Sequence, residues 1–472
     1  MQNKRDAKLS EKTGDKLGFW SIVLLAINAI IGSGIFLTPG SVVQQAGSKA
    51  LIVYFIAAIF AAILAISFAA ASKYVTKSGA AYAYSKAAFG KKVGFYMGVL
   101  RYFSASVAWG VMAVGVIKSM ISIFGGDPNK TLNVTVGFLV LMAIITIINL
   151  FGQRVLKWVM NLATIGKLAA LVLIIVAGVV LLIATGASSN LSEVDQITQG
   201  GQKIVPTLTT TTFVMAIVSA FYAFTGFESV ASGSEDMKDP EKNLPRAIPL
   251  AILVIAIVYI GVVAVAMVLN PKALMTTKQV VAIAAIFDNK ILRDVILVGA
   301  LVSMFGINVA SSFNAPRILE AMAREGQMSK ALTKRTKNNF PIRTFFISVA
   351  LAILIPMAFE YNMVNLITLS AMVRFLGFIV VPLAVIQFYR DKAKENVLKA
   401  DKNVVTDVVV PILSIVIVVF LLIEYNWQAQ FGVANAAGKI VGVNWYAIVM
   451  MIFGFVILPL IMAWISKGER KN

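Results

Sequence analysis

Apolar residues in this chain come in long runs, each bounded by charged or turn-forming residues. Twelve runs predict helices near 17–45, 51–75, 94–122, 133–153, 156–185, 210–234, 247–269, 292–316, 342–359, 363–389, 404–425 and 444–466. A helix that crosses a bilayer needs roughly 20 consecutive apolar residues, so twelve spans take up about 240 to 290 positions. In a chain of 472 residues that leaves only short loops. A transmembrane barrel would instead alternate apolar and polar residues in segments of about ten. The pattern predicts an all-α polytopic membrane protein of 12 transmembrane helices.

Two of the runs carry helix-breaking sequence at their middle. The first reads Asn28-Ala29-Ile30-Ile31-Gly32-Ser33-Gly34-Ile35-Phe36, and the sixth reads Phe221-Tyr222-Ala223-Phe224-Thr225-Gly226-Phe227-Glu228-Ser229. Each opens a block of five predicted helices. Five is odd, so the second block enters the membrane from the opposite face and the pair forms an inverted repeat. Glycine alone can signify no more than close helix packing. Interrupted segments at matching positions of two halves, however, point to a transporter's binding site. The expected organisation is a tail at 1–16, a first repeat at 17–185, a second at 210–390, two peripheral helices at 404–466 and a tail at 467–472.

Composition agrees with a membrane protein: 59% of residues are apolar and 14% charged, against about half and a quarter in soluble domains. Lys and Arg number 42 against 22 Asp and Glu, a net charge of +20. In a soluble protein that excess would suggest nucleic acid or an acidic partner. Here 30 of the 42 basic residues fall in the tails and alternate loops that would share one side. The positive-inside rule makes that side the cytoplasm, with both termini on it, and no nucleic-acid partner is needed. The chain has no Cys and no His. That excludes thiol nucleophiles, disulfides, Cys or His metal sites and His proton relays. No metal or cofactor is expected, and any proton coupling falls to carboxylates, Lys, Tyr or water. Residues 1–16 are strongly charged and the first run is a full span, so no cleavable signal peptide is expected. The lack of Cys and the compact loops suit the cell membrane of a bacterium.

Unwinding a helix inside the bilayer frees backbone groups that would be costly against lipid, and such groups are tolerated where they line a cavity. After Gly32-Ser33-Gly34, free N–H groups and the start of a half-helix favour an anion such as a carboxylate. Glycine allows close approach, and the Ser33 hydroxyl adds a donor. The first half of the sixth helix ends near Phe224 with free carbonyls, which suit an ammonium group. One anion site and one cation site near the midplane describe the backbone of a zwitterionic amino acid.

Gly32-Ser33-Gly34-Ile35-Phe36 with Pro39, and Phe224-Thr225-Gly226-Phe227-Glu228-Ser229, resemble the two signature stretches of amino acid–polyamine–organocation (APC) superfamily permeases. Glu235-Asp236-Met237-Lys238-Asp239-Pro240, followed by Asn243-Leu244-Pro245-Arg246, matches as well, as does Gly79-Ala80-Ala81-Tyr82 through Phe89-Gly90. The resemblance covers residues from about 17 to 465. It implies a LeuT-like five-plus-five inverted repeat with two peripheral helices, and helices 1 and 6 broken. It also implies a substrate site at Ile31, Gly32, Ser33, Gly34, Tyr222, Phe224, Thr225 and Gly226. There the α-carboxylate would sit against Gly32 to Gly34 and the α-ammonium against the carbonyls of Phe224 and Thr225. Tyr222 lies where many relatives place an aromatic gate.

Ionisable residues within spans are functional candidates. Lys167 sits about ten residues inside the fifth span, ~15 Å deep at 1.5 Å per residue. Either it is a lysine paired structurally to carbonyls, or its ammonium occupies the place where sodium-coupled members of the fold hold a cation. The second reading makes transport sodium-independent, with Lys167 exchanging a proton. Glu228, two residues past the second break, is either a proton carrier or gate, or a carboxylate serving the start of the second half-helix. Arg374 is always protonated. It either pairs with Glu228, binds an anionic side chain or locks the scaffold. Arg101 and Lys118, nearer the ends of the third span, read as snorkelling residues. Ser311 and Ser312 match the region that supplies hydroxyls to a sodium site in sodium-dependent members, or else bond between helices. Trp20, Trp427, Trp445 and Trp464 read as interfacial anchors.

The function expected is secondary active amino acid transport by alternating access, sodium-independent and proton-coupled, with neutral substrates favoured because Glu228 is the only acid deep in a span. The alternatives are an exchanger for acidic, cationic or polyamine substrates, and a non-transporting amino acid sensor. The coupling solute is a proton or an exchanged amino acid. An enzyme is disfavoured by the lack of His, Cys and any close pair of intramembrane carboxylates. ATP-driven transport is disfavoured because no phosphate-binding loop is present.

Overall fold

A computed structural model describes residues 17–77, 79–151, 153–186, 191–231, 237–277, 281–336, 340–434 and 440–469. The tail at 1–16, residues Glu235 and Asp236, and the end of the C-terminal tail lie outside the described residues. In chain order the helices are α1 Phe19–Ile30, α2 Gly34–Leu37, α3 Pro39–Ala46, α4 Ala50–Tyr74, α5 Ala81–Phe89, α6 Lys91–Ile123, α7 Thr131–Leu150 and α8 Gln153–Thr185. Then follow α9 Thr210–Phe224, α10 Phe227–Val230, α11 Pro240–Leu269, α12 Pro271–Thr276, α13 Lys290–Arg324, α14 Ile342–Ala358 and α15 Met363–Tyr389. The last are α16 Val410–Glu424, α17 Trp427–Phe431, α18 Trp445–Ile452 and α19 Leu458–Glu469, with π-helical turns at Val405–Val409 and Phe453–Ile457. Two small antiparallel hairpins complete the described chain: β1 Thr198–Gln199 with β2 Gln202–Lys203, and β3 Gly432–Ala434 with β4 Ile440–Val443.

Among the described residues, eleven helical segments are long and apolar enough to cross a membrane. The ninth predicted run forms α14, an apolar helix of 17 residues. The chain is therefore a polytopic all-α membrane protein. Apolar side chains on outward faces, such as Phe55, Ile257 and Ile423, are half to two thirds exposed. This is how a helix presents itself to lipid rather than to water. Trp20, Trp445 and Trp464 stand outward in the same way, each at least 66% exposed. Trp427 is tied down instead, its indole donating to the Leu422 carbonyl at 2.9 Å and its ring stacked on Phe431.

Helix starts follow local chemistry. Asn270, Asn289, Asn362 and Asn444 each accept the amide three residues on, while Thr209 and Thr212 form a reciprocal capping box at α9. Pro240 opens α11 seven residues before the predicted start at 247, because proline at a first helical position gives up only an amide that would be unpaired there. Gly90, at φ +90°, lets α6 begin at Lys91 rather than 94. The eighth run continues past 316 to Arg324 despite Pro316. Inside the bundle, α4 packs on α11 and α9, and α13 packs on α8 and α6. The two interrupted helices cross within this frame.

Candidate functional site

The first interruption begins at Ile31, whose amide still closes α1 on the Ile27 carbonyl at 2.9 Å while its ψ of 93° turns the chain out of the helix. Helical pairing resumes at Phe36 and Leu37, both donating to the Ser33 carbonyl. Between them, the amides of Gly32, Ser33, Gly34 and Ile35 meet no protein acceptor among the described residues. Buried amides are nearly always paired, so four in a row mark a place prepared for something else.

At the second interruption Thr225 leaves the helix with ψ 153°, its amide and hydroxyl both donating to the Tyr222 carbonyl at 3.2 and 2.8 Å. Gly226 follows at φ +122°. A methyl on Gly226 would lie 2.3 Å from the Ala29 carbonyl oxygen, and one on Gly34 would lie 2.5 Å from Cα of Ala223. The two breaks thus meet backbone against backbone, and only glycine fits at either crossing point.

The crossing leaves a cavity of about 380 Å³, within the usual size of small-molecule sites. Gly32, Ser33, Gly34, Tyr222, Thr225 and Gly226 line it, together with Lys167, Glu228 and Arg374. Ile31 and Phe224 do not. Ile31 offers its carbonyl to Lys167, and Phe224 is fully buried, its ring 5.1 Å from that of Tyr259. Tyr222 is buried where it lines the cavity.

Lys167 is buried, with its ammonium donating to the carbonyls of Asn28 at 2.9 Å and Ile31 at 2.6 Å. Both acceptors belong to the last turn of α1 and its end, so this cation pins the first break. Asn28 is held in turn by Thr164, whose hydroxyl donates to its side-chain oxygen at 2.9 Å. Glu228 uses both carboxylate oxygens. One oxygen accepts the Gly226 amide at 2.8 Å, and the other lies 3.3 Å from Nε of Arg374 and 3.7 Å from a terminal nitrogen of Arg101. Ser311 lines the cavity, whereas the Ser312 hydroxyl accepts from Asn149 and donates to the Val309 carbonyl.

Arg101 corrects the sequence reading. Far from snorkelling, its guanidinium lines the cavity, ion-pairs with Glu228 and donates to the Ser229 hydroxyl at 2.9 Å. Because α6 starts at Lys91, Arg101 lies ten residues in, about 15 Å from the helix start.

The amino acid permease family profile matches residues 17–457. An uncharacterized transporter of Mycobacterium tuberculosis (strain ATCC 25618 / H37Rv) is 38% identical over 463 residues, covering 94% of this chain and 93% of that protein. The branched-chain amino acid permease BcaP of Bacillus subtilis is 28% identical, covering 87% and 88%. The b(0,+)-type amino acid transporter 1 of Rattus norvegicus is 26% identical, covering 86% and 82%. With a transporter family matched across nearly its whole length and two interrupted helices crossing at a cavity of substrate size, the chain belongs to the amino acid permeases of the APC superfamily.

Proposed function

We propose that this protein is a secondary amino acid transporter that works by alternating access on a five-plus-five inverted repeat, independent of sodium and driven by protons. The observation that carries the reading is the crossing of the two breaks. It brings Gly32 to Gly34, whose amides are unpaired among the described residues, and the Thr225–Gly226 step to the lining of one cavity, with the Lys167 ammonium fixed on the carbonyls of Asn28 and Ile31. Unpaired amides receive the α-carboxylate, and the carbonyl end of α9 receives the α-ammonium. A cation supplied by the protein makes a bound sodium ion unnecessary. Lys167 is the group that exchanges the coupled proton, whereas Arg101 and Arg374 cannot. Glu228 holds the second break in register through the Gly226 amide and both guanidiniums.

The test is uptake of labelled amino acids into proteoliposomes, with and without an inward proton gradient. Saturable uptake that rises with the gradient and is unchanged when potassium replaces sodium is expected. Lys167→Ala should lose the response to the gradient. Gradient-driven uptake that survives in Lys167→Ala would overturn the coupling role. A protein that binds amino acids in detergent but never moves them would instead be a sensor.

A further inference from the structure

We infer that the substrate selected by this cavity carries a second carboxylate, as an aspartate- or glutamate-type amino acid does. The inference rests on the cavity being an amino acid site, and it departs from the neutral preference drawn from sequence. That preference counted acids within spans. The structure shows which cations stand beside them.

Among the described residues, four cationic side chains line the cavity: Arg317, and the three that meet the two breaks, Arg101, Lys167 and Arg374. Lys167 meets only carbonyls. Among the described residues, Arg101 meets the Ser229 hydroxyl and Glu228, and the charged partner of Arg374 is Glu228. Among the described residues Glu228 is the single carboxylate in the lining; it is shared between two guanidiniums, and with Arg101, Lys167 and Arg374, Arg317 not counted, it makes a formal charge of +2. Uncompensated charge is costly within a membrane protein's interior. Arg374 shows the shortfall directly. Its side chain is 9% exposed; its Nε faces Glu228 at 3.3 Å without a hydrogen bond, and its Nη1 is shut off from solvent with no hydrogen-bond partner among the described residues.

A water can supply hydrogen bonds but no charge. A recess of about 20 Å³ between Arg101, Ser104, Glu228 and Arg374 has room for one. A neutral amino acid is a zwitterion and leaves the charge where it was. A cationic amino acid or a polyamine adds to it. A dicarboxylic amino acid brings one net negative charge, and its side-chain carboxylate matches the planar fork of a guanidinium. Gly32 to Gly34, Tyr222 and Arg374 all line this one cavity. One short amino acid can reach both the glycine amides and the guanidinium.

Purified wild-type protein should gain thermal stability in detergent on addition of L-glutamate or L-aspartate, and little with L-leucine, L-lysine or putrescine. In proteoliposomes, unlabelled glutamate and aspartate should compete most strongly for uptake. Arg374→Gln should weaken glutamate binding by about 30-fold or more, the usual consequence of removing one partner of a buried charge pair. Arg374→Lys, which keeps the charge, should retain more of it. Saturable uptake of neutral or cationic amino acids that glutamate and aspartate do not inhibit would overturn the inference and leave the transporter reading standing. Absence of binding and uptake for every amino acid would overturn both. Should the Arg374 variants fail to fold, the wild-type competition series decides alone.

Discussion

At the scale of single residues, the site depends as much on missing side chains as on present ones. Gly34 and Gly226 are where one broken helix touches the other, and in each case the atom a methyl would strike is main chain. Main chain cannot rotate away as a long side chain can, so the helices must separate. Gly34→Ala should lower stability by about 1 to 3 kcal/mol, the cost of overpacking, and abolish uptake. Gly226→Ala adds an unfavourable left-handed φ to the same clash. Gly261→Ala is the control, since its methyl would rest at an ordinary 3.5 Å from Ile175. Melting temperature and uptake measured together check this, and a Gly34→Ala protein as stable and active as Gly261→Ala would refute the crossing. The motif glycines, Lys167, Glu228 and Arg374 were legible in the sequence because each breaks a local rule, either a glycine inside a helix or a charge inside a membrane. Arg101 breaks the same rule, but its depth depends on where α6 begins. Lys91 and Lys92 look like loop residues until Gly90 is seen to start the helix.

At the scale of elements, the long spans were readable and their ends were not. An apolar run states that a helix exists, but its continuation past the run is decided by tertiary partners. The extension of α13 to Arg324 shows this, since it delivers Glu325 to Lys86 of α5 at 2.5 Å. Glu395, beyond α15, reaches the same lysine at 3.5 Å, and the amides of Lys394 and Glu395 donate to the Ala87 carbonyl. Three elements distant in sequence are thus clamped on one ammonium. The hydrogen bond from Lys86 holds the Glu325 carboxyl below its ordinary 4.5, although burial opposes it. Burial works against the Lys86 ammonium too, but the bond and charge of Glu325, reinforced by Glu395, raise it above 10.5. A depressed carboxylate gives stability that is present above its unfolded value and lost as pH falls through the folded one. A raised lysine gives stability present below its unfolded value and lost as pH rises through the folded one. Wild type should therefore melt higher than Glu325→Gln at about pH 7, and the gap should close below about pH 4. A gap that persists unchanged in acid would show that the carboxylate's charge is not what holds the clamp.

At the scale of the whole molecule, the cavity has a direction. Its lining includes Gly79, Ile318 and Ala321, and the last of these stands four residues before Glu325 on the clamp. Toward the opposite end the broken helices are sealed. Phe36 is wholly buried, Thr38 bonds Tyr54 between hydroxyls at 2.9 Å, and Phe221 packs on Phe60 with ring centres 4.6 Å apart. The cavity thus extends toward the clamp, while the broken helices pack tightly toward α3. The positive-inside rule predicts that the clamp end faces the cytoplasm, given the basic residues of Lys73 to Lys92, Arg317 to Arg343 and Arg390 to Lys402. Hydropathy gave the long apolar spans but could not give this direction, since it depends on side-chain packing between elements far apart in sequence. The chain contains no cysteine, so a single introduced thiol is an unambiguous reporter. Ala321→Cys should react with a membrane-impermeant maleimide in inside-out vesicles and resist it in right-side-out vesicles. Thr38→Cys should resist from both sides in the described conformation. Substrate should slow labelling of Ala321→Cys if the cavity closes over it, as alternating access requires. Labelling of Ala321→Cys from the outer face alone would reverse the orientation, and labelling unaffected by any bound amino acid would deny the cavity its part in transport.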